Sequence, residues 1–362
     1  MNIGFIGLGL IGGSIAKAVR RVYPDARILA YNRTASVLSD AMRDGTVSEA
    51  CWEISGAFSE CDYIFLCTPV VTMIKELEAL KPYLAPGTIV TDVGSTKGGI
   101  HQAVEKLGLG NCFIGGHPMA GSEKTGYENA TDRMIENAWY ILTPGSDVPI
   151  ERLSAFSEFI SSLGALPLII SPNEHDFVTA AISHVPHIVS AALVNMVKSL
   201  DGPEEYMRTI AAGGFKDITR ISSSSPQMWQ EICLANSDNI CIVLDQYIRK
   251  LTDFRFAVRN GNAEKLMACF AESKEYRDSF SNDSRGPIKK DYRVYVDIAD
   301  EAGAIAKIAG VLAGENISMK NIGIVHNRSF EQGVLRVEFY EQDAADQAAD
   351  VLKTRFYKVY EG

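Results

Sequence analysis

No Cys-x-x-Cys pair occurs anywhere in these 362 residues, and the seven cysteines (Cys51, Cys61, Cys67, Cys112, Cys233, Cys241 and Cys269) form an odd, scattered set. Such spacing builds neither a zinc site nor a disulfide framework, so no structural metal and a reducing, cytoplasmic compartment are expected. A basic excess is missing as well. The formal net charge is −10, whereas nucleic-acid and anionic-membrane surfaces need a positive face that releases counterions. Neither partner is expected, although a few cations in one cleft suffice for a small anionic ligand. No apolar run reads as approaching the ~18–20 residues of a membrane span. No basic n-region precedes Met1-Asn2-Ile3-Gly4-Phe5-Ile6, which enters a strand directly. With 46% apolar and 22% charged residues the balance is that of a globular protein, and the length asks for two or three domains.

What is present is a change of periodicity along the chain. Up to about residue 170, apolar runs alternate with helical stretches: Ile3 to Ile6, Ile28 to Tyr31, Tyr63 to Cys67, Thr88 to Val93, Cys112 to Ile114, Trp139 to Thr143 and Leu166 to Ile170. Strands separated by helices predict βαβ units and a mainly parallel sheet, an α/β domain of Rossmann type over 1–170. From 171 to 281 the β-branched runs vanish. Ile182 to Leu200 and Gln227 to Val258 read as long helices of an all-helical domain, apolar enough to bury a face against a second subunit in a homodimer.

Asn282-Asp283-Ser284-Arg285-Gly286-Pro287 breaks this pattern and marks a linker at 282–290. In 291–362, Tyr292, Val294, Val296 and Ile298 alternate with polar positions, then Ile305, Ile308, Ala309 and Leu312 repeat at helical spacing. Strands at Ile317 to Val325, Val334 to Tyr340 and Tyr357 to Tyr360 and a helix at Ala344 to Leu352 complete a βαββαβ, ferredoxin-like domain.

The first strand runs into Gly7-Leu8-Gly9-Leu10-Ile11-Gly12-Gly13-Ser14 and then a helical pattern. In a dinucleotide site, Gly7 permits the tight turn, Gly9 lets the pyrophosphate approach the backbone, and Gly12 lets helix and strand pack closely. The phosphates would rest on the helix N-terminus. Asn32 lies twenty positions after Gly12, where an NAD-specific site usually holds an acid. Without that carboxylate, Asn32, Arg33 and Thr34 suit a 2′-phosphate, and NADP is favoured. Arg33 stacked on the adenine would serve NAD equally. Thr68 and Pro69, directly after the third of these strands, complete the candidate cofactor set.

A nucleotide domain names no substrate. Four of the six histidines lie between 117 and 187, within or near Asp92-Val93-Gly94-Ser95-Thr96-Lys97, Gly115-Gly116-His117-Pro118-Met119-Ala120-Gly121-Ser122-Glu123, Ser183-His184-Val185-Pro186-His187 and Gly213-Gly214-Phe215-Lys216-Asp217-Ile218-Thr219-Arg220. With the glycine loop, these segments resemble the motif set of the prephenate dehydrogenase family over residues 1 to about 280. The resemblance implies hydride transfer from the 4-hydroxyl carbon of a cyclohexadienol to the nicotinamide, with loss of the ring carboxylate and formation of a phenol. It assigns His117 to the hydroxyl proton, Ser95 to a bond with both that histidine and the hydroxyl, and Arg220 to a substrate carboxylate. A neutral imidazole and a planar guanidinium suit those tasks. His184 and His187, at a helix start or kink and on one face, either touch substrate or hold structure. Ser122 and Glu123 match pocket positions. Lys216 either pairs with Asp217 or lines the pocket, and Trp229 is either near the pocket or a core side chain.

The βαββαβ segment resembles an ACT domain, with Ala302-Gly303 where typical members have a Pro-Gly-like pair. Gly303 at a helix start, with Asn316 or Asn321 across a subunit interface, is the candidate site for free tyrosine as a feedback ligand. The alternative is a structural or dimerising domain. The substrate motifs fit prephenate and arogenate alike. A β-hydroxyacid dehydrogenase is disfavoured because no lysine has Asn four residues later. A non-catalytic dinucleotide and amino-acid sensor would not need His117, Ser95 and Arg220 together.

Overall fold

The computed structural model describes residues 1–122, 124–280, 292–299, 301, 303–326 and 333–361. The expected linker at 282–290 and Ala302 lie outside the described residues, as does Glu123. The chain divides into two units, Met1–Leu266 and Met267–Gly362.

The first unit opens with a five-stranded parallel sheet. Its strands are β1 (Asn2–Ile6), β2 (Arg27–Tyr31), β3 (Glu49–Cys51), β4 (Tyr63–Leu66) and β5 (Ile89–Asp92), in the order β3-β2-β1-β4-β5. Helices α1 (Leu10–Val22), α2 (Ala35–Arg43), α3 (Val70–Leu80) and α4 (Gly98–Leu107) follow successive parts of it. Strand residues alternate between two cores, as they must in a sheet covered on both faces. Ile3, Phe5 and Phe65 join one, while Ile6, Ile64 and Leu66 join the other. The order reverses between β1 and β4, so a crevice opens at the carboxyl edge beside the glycine loop. Sequence periodicity misses β3, whose Glu-Ala-Cys run has no alternation. Arg27 holds it through Glu49 at 2.7 Å.

The expected mainly parallel sheet is split. Strands β6 (Ile114–Pro118), β7 (Trp139–Pro144) and β8 (Leu166–Ile169) form a separate sheet, with β6 antiparallel to β7 and β7 parallel to β8. Among the described residues one parallel β-bridge, Val90 to Phe113, connects the two. Among the described residues no α-helix separates β6 from β7, so no parallel crossover is available and the chain turns back. Helix α5 (Ile150–Ser162) supplies the one crossover, from β7 to β8.

The helical part begins at a capping box, in which Ser171 Oγ accepts from Glu174 N and the Glu174 carboxylate accepts from Ser171 N. Helix α6 (Pro172–Thr179), a π-turn at Ala180–His184 and α7 (Val185–Leu200) form one 29-residue rod. By length and composition this rod is apolar enough to cross a membrane, with mean hydropathy 1.6 over its best window. That corrects the expectation of no such run. Histidine, serine and Pro186 interrupt the sequence to the eye, yet Phe177 to Val194 contains no Asp, Glu, Lys or Arg. Helices α8 (Tyr206–Ile210), α9 (Gly213–Thr219), α10 (Pro226–Ala235), α11 (Ser237–Arg259) and α12 (Ala263–Ser279) follow. The single helix expected over Gln227 to Val258 is broken at Asn236, whose backbone ends α10 and whose buried amide bonds inward. Among the described residues Ala180, Val185 and Ile240 form a small buried cluster here, while Ile182, Met196, Leu200, Ile242, Ile248 and Leu251 are exposed.

In the second unit, β9 (Tyr292–Ile298), α13 (Ala304–Gly314), β10 (Met319–His326), β11 (Gly333–Phe339), α14 (Gln342–Thr354) and β12 (Val359–Glu361) give the βαββαβ order. The sheet is antiparallel throughout, in the order β10-β11-β9-β12. Val294, Val296, Leu335 and Val337 pack on Ile308, Leu312, Ala348 and Leu352.

Candidate active site

The glycine loop leaves β1 with Gly7 at φ +96° and its N–H donating to Tyr31 O at 2.8 Å. A side chain at Gly12 would stand 2.7 Å from Cys67 Cβ, so helix and strand need its absence, whereas a Cβ at Gly9 would meet nothing within 4 Å. That opening, with no acid in the first turn of α1, is a cradle fitting a pyrophosphate. Asn32 braces it: Oδ1 accepts from Leu8 N at 3.0 Å and Nδ2 donates to Thr34 O at 3.2 Å. Asn32 is thus committed within the protein, while Arg33 and Thr34 are exposed and make no side-chain bond among the described residues. Thr68 Oγ1 donates to Glu76 at 2.5 Å, and Pro69 caps the start of α3.

A buried ion pair shapes the next part of the edge. Asp92, the last residue of β5, binds Lys97 Nζ, and both are inaccessible to solvent. Asp92 also accepts from Gly94 N at 2.8 Å and from Gly116 N at 3.1 Å. One carboxylate therefore holds the end of β5, the loop carrying Ser95, and β6. His117 lies within β6, opposite Ile141, because the strand runs on past the apolar run that ends at Ile114. Since β6 runs parallel to β5 at the Val90 to Phe113 bridge, its carboxyl end lies on the edge that carries the glycine loop.

The expected Ser95 to His117 bond is not formed. Ser95 is half-buried and makes no side-chain hydrogen bond among the described residues. His117 Nδ1 instead meets His175 Nε2 at 2.8 Å, and His175 Nδ1 meets Asp176 Oδ1 at 2.8 Å. Both oxygens of Asp176 also accept from the start of α4, from Lys97 N and Gly98 N at 2.7 Å each. Burial pushes the His117 imidazolium well below its ordinary range, helped by His175, Lys97 and His184. Burial pushes His175 down too, against the pull of Asp176. Burial alone would raise Asp176, but the bonds from His175, Lys97 N and Gly98 N outweigh it and hold the carboxyl low.

His184 is buried and His187 half-buried, and both rings pack against Trp229. Asn236 Nδ2 donates to Asp176 O at 2.7 Å and to His184 Nδ1 at 3.2 Å. His184 Nδ1 must therefore accept and Nε2 carries the hydrogen, buried without a partner. Burial lowers this ring to about 4. His187 donates from Nδ1 to Ser183 O at 2.9 Å and stacks on Trp229 with ring centres 3.8 Å apart. Trp229 Nε1 is the second buried donor without a partner here. Burial lowers His187, opposed by the Ser183 bond and assisted by the Arg220 charge, which places Arg220 within electrostatic reach.

Arg220 itself is exposed at the end of α9. The Lys216 to Asp217 ion pair is not formed, because adjacent helical residues point apart. Ser122 is exposed, its hydroxyl accepting from Lys124 N at 3.2 Å. In the second unit, Gly303 precedes α13 at φ +90°, Asn316 follows its other end at φ +57°, and Asn321 Oδ1 accepts from Ile322 N. A helix of that length separates Gly303 from Asn316 by about 16 Å, so one chain does not bring them together. Asp92, Lys97, His175, Asp176 and Asn236 carry no role in the sequence reading. The signal for His175 and Asp176 is present: they follow the Ser171 capping box within one helical turn. Among the described residues no group of three or more His, Cys, Asp or Glu is placed to hold a metal.

Residues 15–167 match the family described as "Prephenate dehydrogenase, nucleotide-binding domain" and residues 171–272 match "Prephenate dehydrogenase, dimerization domain". The chain is 37% identical to the prephenate dehydrogenase of Bacillus subtilis (strain 168), covering 96% of this chain and 95% of that protein. Among solved structures, prephenate dehydrogenase from A. aeolicus in complex with hydroxyphenyl propionate and NAD+ aligns with TM-score 0.73 at 33% identity, covering 78% of this chain and 98% of that one. Synechocystis arogenate dehydrogenase aligns with TM-score 0.71 at 31% identity, covering 77% and 100%.

Proposed function

This chain belongs to the prephenate dehydrogenase family, and on that premise we propose how its residues convert prephenate to 4-hydroxyphenylpyruvate in tyrosine biosynthesis. The observation that carries the reading is His117, bonded at Nδ1 and uncommitted at Nε2 among the described residues, on the edge that bears the glycine loop. A bound nicotinamide dinucleotide supplies the acceptor for the hydride leaving C4. His117 Nε2 takes the hydroxyl proton as C4 becomes trigonal. The bond from C1 to the ring carboxylate then breaks, carbon dioxide leaves, and its electron pair makes the ring aromatic. The phenolate oxygen recovers the proton from His117, so none is consumed. Ser95, with its hydroxyl uncommitted, is assigned to the same substrate oxygen.

The anionic end of the substrate is assigned to Arg220 and His187, with the Nε2–H of His184 and the Nε1–H of Trp229 as donors that lack a partner. Lys216, four positions before Arg220, and Ser122 are assigned to the rim. A charge-assisted pair of this kind contributes about 1.5–3 kcal/mol. Arg220→Ala should therefore raise KM for the dienol on the order of 10- to 100-fold with a smaller change in kcat, read from initial rates. A KM within twofold of wild type would remove Arg220 from the site.

For the cofactor we favour NADP over NAD, because Arg33 and Thr34 are exposed at the end of β2 with no side-chain bond among the described residues, and positions 32–34 carry no acid. The exposed apolar residues of α7 and α11 support a homodimer through the helical domain, and seven free thiols suit the cytoplasm. We read 1–170, 171–281 and 291–362 as the nucleotide, helical and ACT-type domains. The last would bind tyrosine between two copies, since Gly303 and Asn316 meet one ligand only across an interface. The test is cofactor reduction with prephenate and with arogenate, each with NAD and NADP, with and without tyrosine. The expected result is turnover of prephenate, a larger kcat/KM with NADP, and inhibition by tyrosine. Turnover of arogenate alone would move the chain to the arogenate branch, and a larger kcat/KM with NAD would overturn the cofactor reading.

A further inference from the structure

We propose that Asp176 and His175 are positioning residues that fix the proton of His117 on Nδ1, leave its Nε2 as the acceptor, and take up the charge formed there. The inference rests on the assignment of His117 above and extends it by two residues. Asp176 is the fixed point. As a carboxylate it only accepts hydrogen bonds, so the hydrogen between it and His175 belongs to His175 Nδ1. A neutral ring has one N–H, which leaves a lone pair on His175 Nε2. That lone pair faces His117 Nδ1 at 2.8 Å, so the His117 hydrogen is on Nδ1 and its lone pair on Nε2. One acceptor thus dictates both tautomers.

Asp176 is itself held by both oxygens on the N–H groups of Lys97, just before α4, and Gly98, its first residue, where the helix dipole favours an anion. Its carbonyl accepts from Asn236, so Asp176 joins the start of α4, through its carboxylate, to the α10–α11 junction, through its backbone. When His117 Nε2 gains the hydroxyl proton, the Nδ1 proton can pass to His175 Nε2, and the positive charge then lies beside Asp176. The reverse transfers return the proton to the phenolate. Around His117 stand His175 of α6, Lys97 of the loop before α4 and His184 of the π-turn. Around His175 stand Asp176, Lys97 and Asp92. Lys97 opposes an imidazolium at either ring, whereas Asp176 favours one at His175, so moving the charge outward relieves it.

The test compares His175→Leu, His175→Gln, His117→Asn and the double variant His117→Asn/His175→Gln, with thermal melting and dinucleotide binding as controls. His175→Leu should lose on the order of 10²-fold in kcat with KM within about threefold, by analogy with loss of an orienting group in a catalytic triad. His175→Gln should recover about tenfold of this, because its carbonyl accepts from His117 Nδ1 although it cannot carry the charge. Adding His175→Gln to His117→Asn should cost nothing further, since the relay has nothing left to orient. Wild-type kcat in both His175 variants beside an inactive His117→Asn would overturn the relay alone. Losses that multiply in the double variant, or that fall on KM or melting temperature instead of kcat, would reduce His175 to a structural residue. An active His117→Asn would remove the assignment on which the relay rests.

Discussion

Replacing His117 with asparagine should lower kcat on the order of 10²- to 10⁴-fold, with KM for the dienol changed no more than a few-fold. Asparagine reaches the position of Nδ1 and can still donate to His175 Nε2, so the fold around Asp176 should survive. Nothing then occupies the Nε2 position, and the hydroxyl proton has no acceptor as hydride leaves. The pH profile gives a second reading. Burial, together with His175, Lys97 and His184, holds the His117 imidazolium well below the usual histidine range. The base must be neutral, so wild-type kcat rises with pH through that lowered pKa and is already flat at neutrality. Its acid limb should lie below the range of free imidazole and vanish in the variant. Steady-state kinetics from acid to neutral pH decide both points. A variant with near wild-type turnover and an unchanged acid limb would place the base elsewhere.

The sequence made the nucleotide domain legible because strand alternation and the glycine loop are local patterns. Ile3 to Ile6, Gly7, Gly9 and Gly12 state their roles within ten residues. The reversal of β6 against β7 was not legible, since it depends on the lack, among the described residues, of a crossover α-helix between 118 and 139. Asp92 and Lys97 sit inside a recognised motif, yet their pairing and complete burial follow from where β6 packs. His175 was hidden for a related reason. Its partners are separated from it by 58 residues in one direction and by one residue in the other, so only the folded chain aligns His117, His175 and Asp176. Asn236 likewise read as the middle of a helix. It breaks that helix because its amide bonds Asp176 O and His184 Nδ1, partners 60 and 52 residues away.

Lys97→Met should cost about 3–5 kcal/mol of stability, the usual result of stripping one partner from a buried pair. For a domain of this size that lowers the first melting transition by on the order of 10 °C. Asp92 would be left with Gly94 N and Gly116 N and no counter-charge. The double variant Asp92→Asn/Lys97→Met should recover at least half of the loss. An amide needs no counterion and keeps an oxygen for one of the two backbone donors, so the comparison separates the cost of an orphaned charge from that of lost packing. Catalysis should change as well, because the Lys97 charge helps hold the His117 imidazolium down. Its removal should move the acid limb of kcat toward higher pH in both variants, whereas lost packing alone would leave the limb in place. The pair is therefore expected to serve two ends, fixing β5, β6 and the start of α4 around Ser95 and keeping His117 neutral. Wild-type melting in Lys97→Met would refute the first, and an unmoved acid limb the second.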